Sequence, residues 1–83
     1  MKITPDTLHE LAQRLMTERK RQGLSRAQAA AICNVSTSFI RDAESDTGAC
    51  SLMLLLRLIQ GLGIQLEATH WSPDDAQGKG VGP

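Results

Sequence analysis

The sequence predicts an all-α fold, a bundle of about four short helices that is followed by one C-terminal β-strand. Apolar residues recur with the helical period in four stretches, and a Thr or Ser that can cap a helix precedes each of them. Only Phe39 and Trp71 are aromatic among 83 residues, so the core must be aliphatic, as it is in many helical bundles. Residues 64–71 then alternate between apolar and polar side chains, which is the period of a strand.

The first helix is predicted to begin near Pro5, because Thr4 can cap it and Asp6 lies in its positive first turn. Its apolar residues form one continuous core stripe, at Leu8, Leu11, Ala12, Leu15 and Met16. Gly23 ends the helix after a basic last turn. That basic cluster either complements the helix dipole or contacts phosphate, and it consists of Arg19, Lys20 and Arg21.

Residues 23–46 predict two short helices joined by a tight turn, the layout of a helix-turn-helix. Ser25 can cap the first of them, and Gln28 three residues later completes a capping box, so this helix begins at Arg26. Asn34 ends it, since Asn tolerates the left-handed conformation that a helix C-terminus needs.

The second helix of the pair is expected to follow its cap, Ser36, and to have one apolar and one polar face. The residues expected where the two helices touch are Ala29, Ala30, Cys33, Val35, Ile40 and Ala43. The polar residues share one exposed stripe, and each can meet a base edge or a phosphate: Thr37, Ser38, Arg41, Asp42 and Ser45. Phe39 either touches a thymine methyl group or shields the helix against its neighbours, and we favour the packing role.

A fourth helix is predicted from Leu52 to about Leu62, with Ser51 as its cap. One apolar face is expected at Leu52, Leu55, Leu56 and Ile59, and further apolar residues extend it at Met53, Leu54 and Leu58. A helix that is apolar on most sides is buried on more than one side, and in so small a domain the second contact is most simply another subunit.

The strand at 64–71 has no second strand to pair with, so we expect it to pair with its copy in a two-fold dimer. The residues expected at this dimer interface are Leu54, Leu58, Ile64, Leu66 and Ala68. A chain of this size buries only about 60–65% of its unfolded surface, so dimerisation would add to a marginal stability.

The chain is expected to form one domain over residues 1–71 and a disordered tail over 72–83, which has three Gly, two Pro and a single aliphatic residue larger than Ala. The two cysteines lack the spacing of a disulfide framework or a zinc site, so free thiols and no metal are expected. No secretory signal or membrane-spanning run is visible. We therefore expect a cytoplasmic, nucleoid-associated protein with no membrane partner.

Charge is balanced over the whole chain but not along it. Residues 1–45 contain seven Lys and Arg against five Asp and Glu, and residues 46–83 contain two against four. The half with the helix-turn-helix is therefore the basic half, and the local field governs attraction to phosphate.

An enzyme is not expected. His9 and His70 lie in different elements, Cys33 falls on the apolar face, and the sequence has no paired carboxylates or Gly-rich phosphate loop. We predict no catalytic residue and no cofactor. Glu44 is interpreted as structural, accepting hydrogen bonds from the backbone or from nearby arginines.

The chain resembles the helix-turn-helix family of phage Cro and repressor proteins, also called the xenobiotic-response-element family, over about residues 5–63. The residues that carry the resemblance are Gly23, Leu24, Ser25, Ala30, Val35, Ser36, Ile40, Glu44, Ser51, Leu52, Leu55, Leu56, Leu58, Leu62 and Gly63. A strand directly after the last helix narrows the resemblance to HipB-type antitoxins. It implies a lambda-repressor-like bundle, a two-stranded lid in a dimer, and binding of both operator DNA and a HipA-type kinase toxin.

The resemblance also implies which residues meet DNA. Base-reading positions of the recognition helix fall on Thr37, Ser38, Arg41 and Asp42. Phosphate contacts at helix N-termini fall on Ser25, Arg26 and Ser36. Arg26 stands where the family usually has Gln, and Asn34 stands where it usually has Gly.

We therefore expect a sequence-specific transcriptional repressor, the antitoxin of a HipA-like toxin-antitoxin system that regulates its own operon. As a homodimer it would bind a palindromic operator in double-stranded DNA, with Arg19 or Lys20 as further phosphate contacts. Two alternatives stay open. The motif could bind a partner protein without reading DNA, or it could be a helical hairpin that serves packing only.

Overall fold

The computed structural model describes residues 1–70, and this part of the chain is all-helical, as predicted. Four α-helices follow one another, α1 at Leu8–Arg21, α2 at Arg26–Cys33, α3 at Thr37–Ser45 and α4 at Leu52–Gly61. Short 3₁₀ turns lie at Pro5–Thr7 and Thr47–Ala49. No helix of the described residues is long and apolar enough to cross a membrane.

The chain enters α1 through the first 3₁₀ turn, so α1 begins three residues later than the cap at Thr4 predicts. The Thr4 hydroxyl accepts from the Asp6 amide at 3.2 Å, and the Thr4 amide donates to Oγ1 of Thr7 at 2.8 Å. This reciprocal capping closes a tight turn, which satisfies the first backbone donors before the α-helix starts. At its other end α1 stops at Arg21, and Gly23 has a positive φ of 73°.

The predicted helix-turn-helix is confirmed as a pair of helices with the predicted caps. The Ser25 hydroxyl accepts from the Gln28 amide at 3.1 Å, and the Ser25 amide donates to the Gln28 side chain at 2.8 Å. Asn34 adopts the left-handed conformation, with φ 58° and ψ 49°. The Ser36 hydroxyl then accepts from the Phe39 amide at 3.0 Å and so starts α3.

The core lies between α2 and its two neighbours, α3 and α4, and continues between α1 and α3. Its largest fully buried side chains are Leu15, Ile40, Leu58 and Ile59. Small residues fill the space beside α2, where Ala29 is completely buried and Cys33 is nearly so. Burying each large aliphatic side chain contributes about 1.5–3 kcal/mol to the stability of the fold.

The orientation of α4 differs from the prediction. Its buried side chains are Leu55, Leu58 and Ile59, while Leu52, Met53 and Leu56 are exposed. The expectation that Leu52 and Leu56 belong to the core face is therefore wrong. Leu58 is also not a dimer contact, because the single chain already leaves only 1% of it exposed.

Gly61 explains how closely α4 crosses α2. A Cβ atom at position 61 would lie 2.9 Å from the Cα of Cys33 and would overlap the Cys33 sulfur. The absence of a side chain therefore sets the crossing of the two helices, and with it which face of α4 meets the core. The Cys33 thiol packs here and donates to the Leu58 carbonyl, with sulfur and oxygen 3.6 Å apart.

The segment after α4 begins with a helix-ending motif. Gly63 has a φ of 83°, and the Ile64 amide donates to the Ile59 carbonyl at 3.0 Å, which satisfies a carbonyl of the last turn. Residues 64–69 have neither helix nor strand structure in the single chain. The strand predicted over 64–71 is therefore not formed within the described part of the single chain, and His70 has a positive φ of 69°.

Pairing of this segment with a second copy stays a prediction, since the structure contains one chain. Trp71 and the predicted disordered tail, 72–83, lie outside the described residues.

Candidate nucleic-acid interface

The polar stripe predicted on α3 is exposed in full. All five of its residues lie at the surface: Thr37, Ser38, Arg41, Asp42 and Ser45. The side chains of Arg41 and Asp42 are 63% and 68% exposed. The other side of the helix is anchored in the core by Ile40 and Ala43, which are completely buried. One face of α3 is thus fixed while the other is available to a ligand.

The groups on this stripe are only loosely engaged with one another. Nε of Arg41 lies 3.7 Å from a carboxylate oxygen of Asp42, and such an exposed pair contributes little to stability. The Ser45 hydroxyl donates to the Arg41 carbonyl at 3.0 Å. The Arg41 guanidinium therefore keeps donors that can form a bidentate contact with a guanine edge, and the Asp42 carboxylate can accept from a cytosine amine.

Two capping serines lie beside this stripe, at the N-termini of α2 and α3. The hydroxyl oxygens of Ser25 and Ser36 accept from backbone amides, at 3.1 Å and 3.0 Å. Both residues are exposed. A helix N-terminus favours an anion through its dipole and its free N–H groups, so both ends suit phosphate.

The third predicted phosphate contact, Arg26, is held by an ion pair. Nε of Arg26 donates to Oε1 of Glu44 at 3.1 Å, and the Arg26 side chain is 42% exposed. Glu44 in turn accepts twice from Arg19, at 2.6 Å from Nε and 3.1 Å from Nη2. The network joins α1, α2 and α3 and confirms that Glu44 accepts from arginines.

Arg19 does not lie where a phosphate can reach it. Its side chain is only 9% exposed, and its remaining bond runs from Nη1 to the Leu24 carbonyl at 2.9 Å. The expectation that Arg19 contacts phosphate is therefore wrong, because its guanidinium is used inside the fold. Lys20 is exposed and stays a candidate.

The charge of Glu44 is stabilised by these arginines. Burial alone would raise the pKa of the Glu44 carboxyl, but hydrogen bonds from Arg19 and Arg26 outweigh burial and lower it. Glu44 is therefore ionised at neutral pH, and its carboxylate lies between two guanidinium groups.

Phe39 lies half-buried on α3 and packs against the core. The favoured packing role is confirmed, and a contact with a thymine methyl group stays a prediction.

Sequence reasoning missed Arg57, whose Nη1 donates to the Asn34 carbonyl at 3.4 Å. The contact brings an exposed cation from α4 to the turn between α2 and α3. The two residues are 23 positions apart, so no local pattern could have shown it.

Comparison with known proteins gives a family and a fold. A family model described as a helix-turn-helix domain matches residues 10–71. A comparison with curated proteins gives no match. Among solved structures, a chain of one described as "Structure of HipA-HipB-O2-O3 complex" is similar, with a TM-score of 0.72 and 18% identity over 87% of this chain and 99% of that one.

A further solved chain, described as "MDT Protein", gives a TM-score of 0.71 at 18% identity, again over 87% of this chain and 99% of that chain. At such identity the likeness concerns the fold. The family match covers most of the chain, including α2, the turn and α3. The protein belongs to the helix-turn-helix domain family.

Proposed function

We propose that the protein is a sequence-specific repressor that binds double-stranded DNA through the exposed face of α3. The observation that carries the proposal is the division of α3 into a face locked in the core and a face of five exposed polar residues. A recognition helix needs both, because base contacts specify a sequence only when the helix is held in a fixed orientation.

Phosphate contacts from the N-termini of α2 and α3 would set the register of α3 in the major groove. The donors proposed for them are Ser25, Arg26 and Ser36. Base contacts are proposed for the exposed stripe, at Thr37, Ser38, Arg41, Asp42 and Ser45.

The proposed repressor acts as a homodimer on a palindromic operator. Support comes from apolar surface that the single chain leaves exposed, at Leu52, Met53, Leu56 and Leu66. Of the interface residues expected from the sequence, Leu54 and Ile64 are half-buried and Ala68 is exposed, so they stay proposed contacts at the edge of this surface. Two copies related by a two-fold axis would place their α3 helices about 34 Å apart.

Selection of bound duplexes from a random DNA pool at near-physiological salt tests this proposal. We expect enrichment of an inverted repeat with half-sites about 10 base pairs apart. A folded protein that enriches no sequence would contradict it. That result would favour the alternative that the motif binds a partner protein without reading DNA, for which the zero net charge of the chain is the supporting observation.

We further propose that the protein binds a kinase toxin of the HipA type and acts as its antitoxin. As a repressor it would then regulate the operon that encodes both proteins. Support comes from the shared fold with a chain of the HipA-HipB-O2-O3 complex and from the excess of acidic residues after residue 45. Co-purification with the product of an adjacent gene would test the partner. A chain that always purifies alone would contradict it.

A further inference from the structure

In the ion-pair network of Arg19, Glu44 and Arg26, the Glu44 carboxylate accepts more hydrogen bonds than it needs to have both oxygens satisfied. Arg19 alone engages both carboxylate oxygens of Glu44, at 2.6 Å and 3.1 Å. That pair is buried, with side-chain exposures of 9% and 3%. Glu44 would therefore keep its charge and both hydrogen bonds without Arg26, so satisfaction of the buried carboxylate does not explain why Arg26 is bound as well.

The charge of the network lies at its exposed end. Two guanidinium groups and one carboxylate leave one positive charge, and Arg19 already balances Glu44 inside the fold. The surplus charge therefore belongs to Arg26, whose side chain is 42% exposed. The ion pair with Glu44 consequently does not cancel the attraction of Arg26 for an anion.

The bond to Glu44 also leaves most donors of Arg26 available. It uses Nε, and within residues 1–70 no other acceptor engages this guanidinium. The two terminal nitrogens carry the remaining four N–H donors of a planar fork, which suits a phosphate. Arg26 is the first residue of α2 and follows the capping Ser25, where the helix dipole favours an anion.

We propose that Glu44 is a positioning residue for DNA binding, which fixes the Arg26 guanidinium through Nε so that its terminal nitrogens receive one backbone phosphate. The inference rests on the proposed DNA-binding function and deepens it. Holding the side chain before DNA arrives reduces the conformational entropy that a free arginine loses on binding.

A double-mutant cycle tests the positioning role. Binding to a mixed-sequence duplex of about 20 base pairs is measured for the wild type, Arg26→Ala, Glu44→Gln and the double variant, at several salt concentrations between about 50 and 200 mM. We expect each single variant to lose affinity about tenfold at low salt, and the double variant to lose no more than Arg26→Ala alone. The slope of log affinity against log salt should fall in magnitude by about 1 in all three.

A merely structural Glu44 would give a different result. Its loss would then weaken binding equally with or without Arg26, and the salt slope of Glu44→Gln would match the wild type. Either finding would overturn the proposal.

A further variant, Arg26→Lys, tests the positioning role without changing the buried pair of Arg19 and Glu44. Arg26→Lys retains the charge and leaves Arg19 and Glu44 intact, but its flexible ammonium group lacks the planar fork that holds Glu44 at Nε while the terminal nitrogens face a phosphate. We expect it to bind more weakly than the wild type but more tightly than Arg26→Ala, because the charge remains while the fixed geometry is lost, and wild-type affinity would overturn the positioning role. A wild-type protein that binds no duplex would instead overturn the DNA-binding function itself.

Discussion

Arg41 and Glu44 stand three residues apart on α3 in different environments. The Arg41 side chain is 63% exposed and that of Glu44 only 3%. The exposed Arg41 can bind a group outside the chain, whereas the fold already determines the hydrogen-bond partners of the buried Glu44. Substitutions at the two positions should therefore affect different properties of the protein.

Replacing Arg41 with alanine should relax the sequence preference. One bidentate contact to a guanine contributes about 1–3 kcal/mol of discrimination at a single base pair, so we expect the loss to fall on one position of each half-site. Affinities for single-base variants of the selected duplex would measure it. Arg14→Ala, which removes an exposed arginine of α1, serves as the control. An unchanged preference in Arg41→Ala would mean that the base-reading face lies elsewhere.

Replacing Gly61 with alanine should destabilise the fold, although alanine favours helices. The new Cβ would lie 2.9 Å from the Cα of Cys33, a backbone atom that cannot move alone. Overpacking of this kind costs about 1–3 kcal/mol, which exceeds the gain in helix propensity of about 1 kcal/mol. Urea denaturation would measure the change, with the exposed Gln60→Ala as control. A variant as stable as the wild type would show that the two helices are less tightly crossed.

Among the elements, helix ends were predictable and helix faces were less so. The caps at Ser25 and Ser36 and the turn at Asn34 depend on residues three or four positions apart, so the sequence contains their cause. The face of α4 that meets the core depends on where α2 lies. Leucines occur on several sides of α4, so helical spacing alone could not show which side is buried. The predicted stripe was wrong because the contact of Gly61 with Cys33 joins residues distant in sequence.

The same distinction applies to the candidate site. Exposure of the α3 stripe follows from helical spacing and was predicted. Distinguishing Arg19 from Lys20 was not possible, because only the packing of α1 against α3 shows which of them meets Glu44. The 3₁₀ turn at Thr47–Ala49 also depends on a distant contact, because a hydrogen bond from the Thr47 hydroxyl to the Leu8 carbonyl at 2.7 Å holds it to α1.

The ion-pair network that joins α1, α2 and α3 should make the free energy of unfolding depend on pH. The folded pKa of Glu44 lies below its ordinary value of 4.5, so its contribution is complete above that pH and is lost as pH falls through the folded value. Glu44→Gln should be less stable than the wild type by about 3 kcal/mol at neutral pH, and the difference should shrink below about pH 4.5.

Thermal unfolding of both proteins between neutral and acidic pH would measure this. Hydrogen bonds from Arg21 and Gln22 lower the pKa of Glu18 to about 2, but that group is the same in both proteins. Glu10→Gln, at an exposed position of α1, is the matched control. A difference that stays constant with pH would show that Glu44 contributes by packing and not by charge.

At the scale of the whole molecule, the apolar surface on α4 determines the proposed assembly. Leu52 and Met53 are 68% and 61% exposed, so the single chain gains little from them. Burying such residues against a second copy would remove them from water and add stability that a small domain lacks. In the proposed dimer, the same contact would therefore add stability to each chain and place two α3 helices on two half-sites.

The variant Met53→Glu should dissociate the proposed dimer while leaving each chain folded. A charge buried in an apolar interface without a partner is strongly unfavourable, whereas at an exposed position of a single chain it costs little. Sedimentation equilibrium at micromolar concentration would measure the mass, and circular dichroism the helix content. Thr17→Glu on α1 adds the same charge at another exposed site. A Met53→Glu variant that stays dimeric would place the interface elsewhere.

Cys33 lies buried between α2 and α4, so the rate at which its thiol is modified should report how often the whole core opens. It is 4% exposed and burial raises its pKa, so reagents that attack thiolates reach it only when the helices separate. Cys50 is only half-buried and should be alkylated first. The slower rate of modification at Cys33 would then measure the rate or frequency of global opening under native conditions, without denaturant.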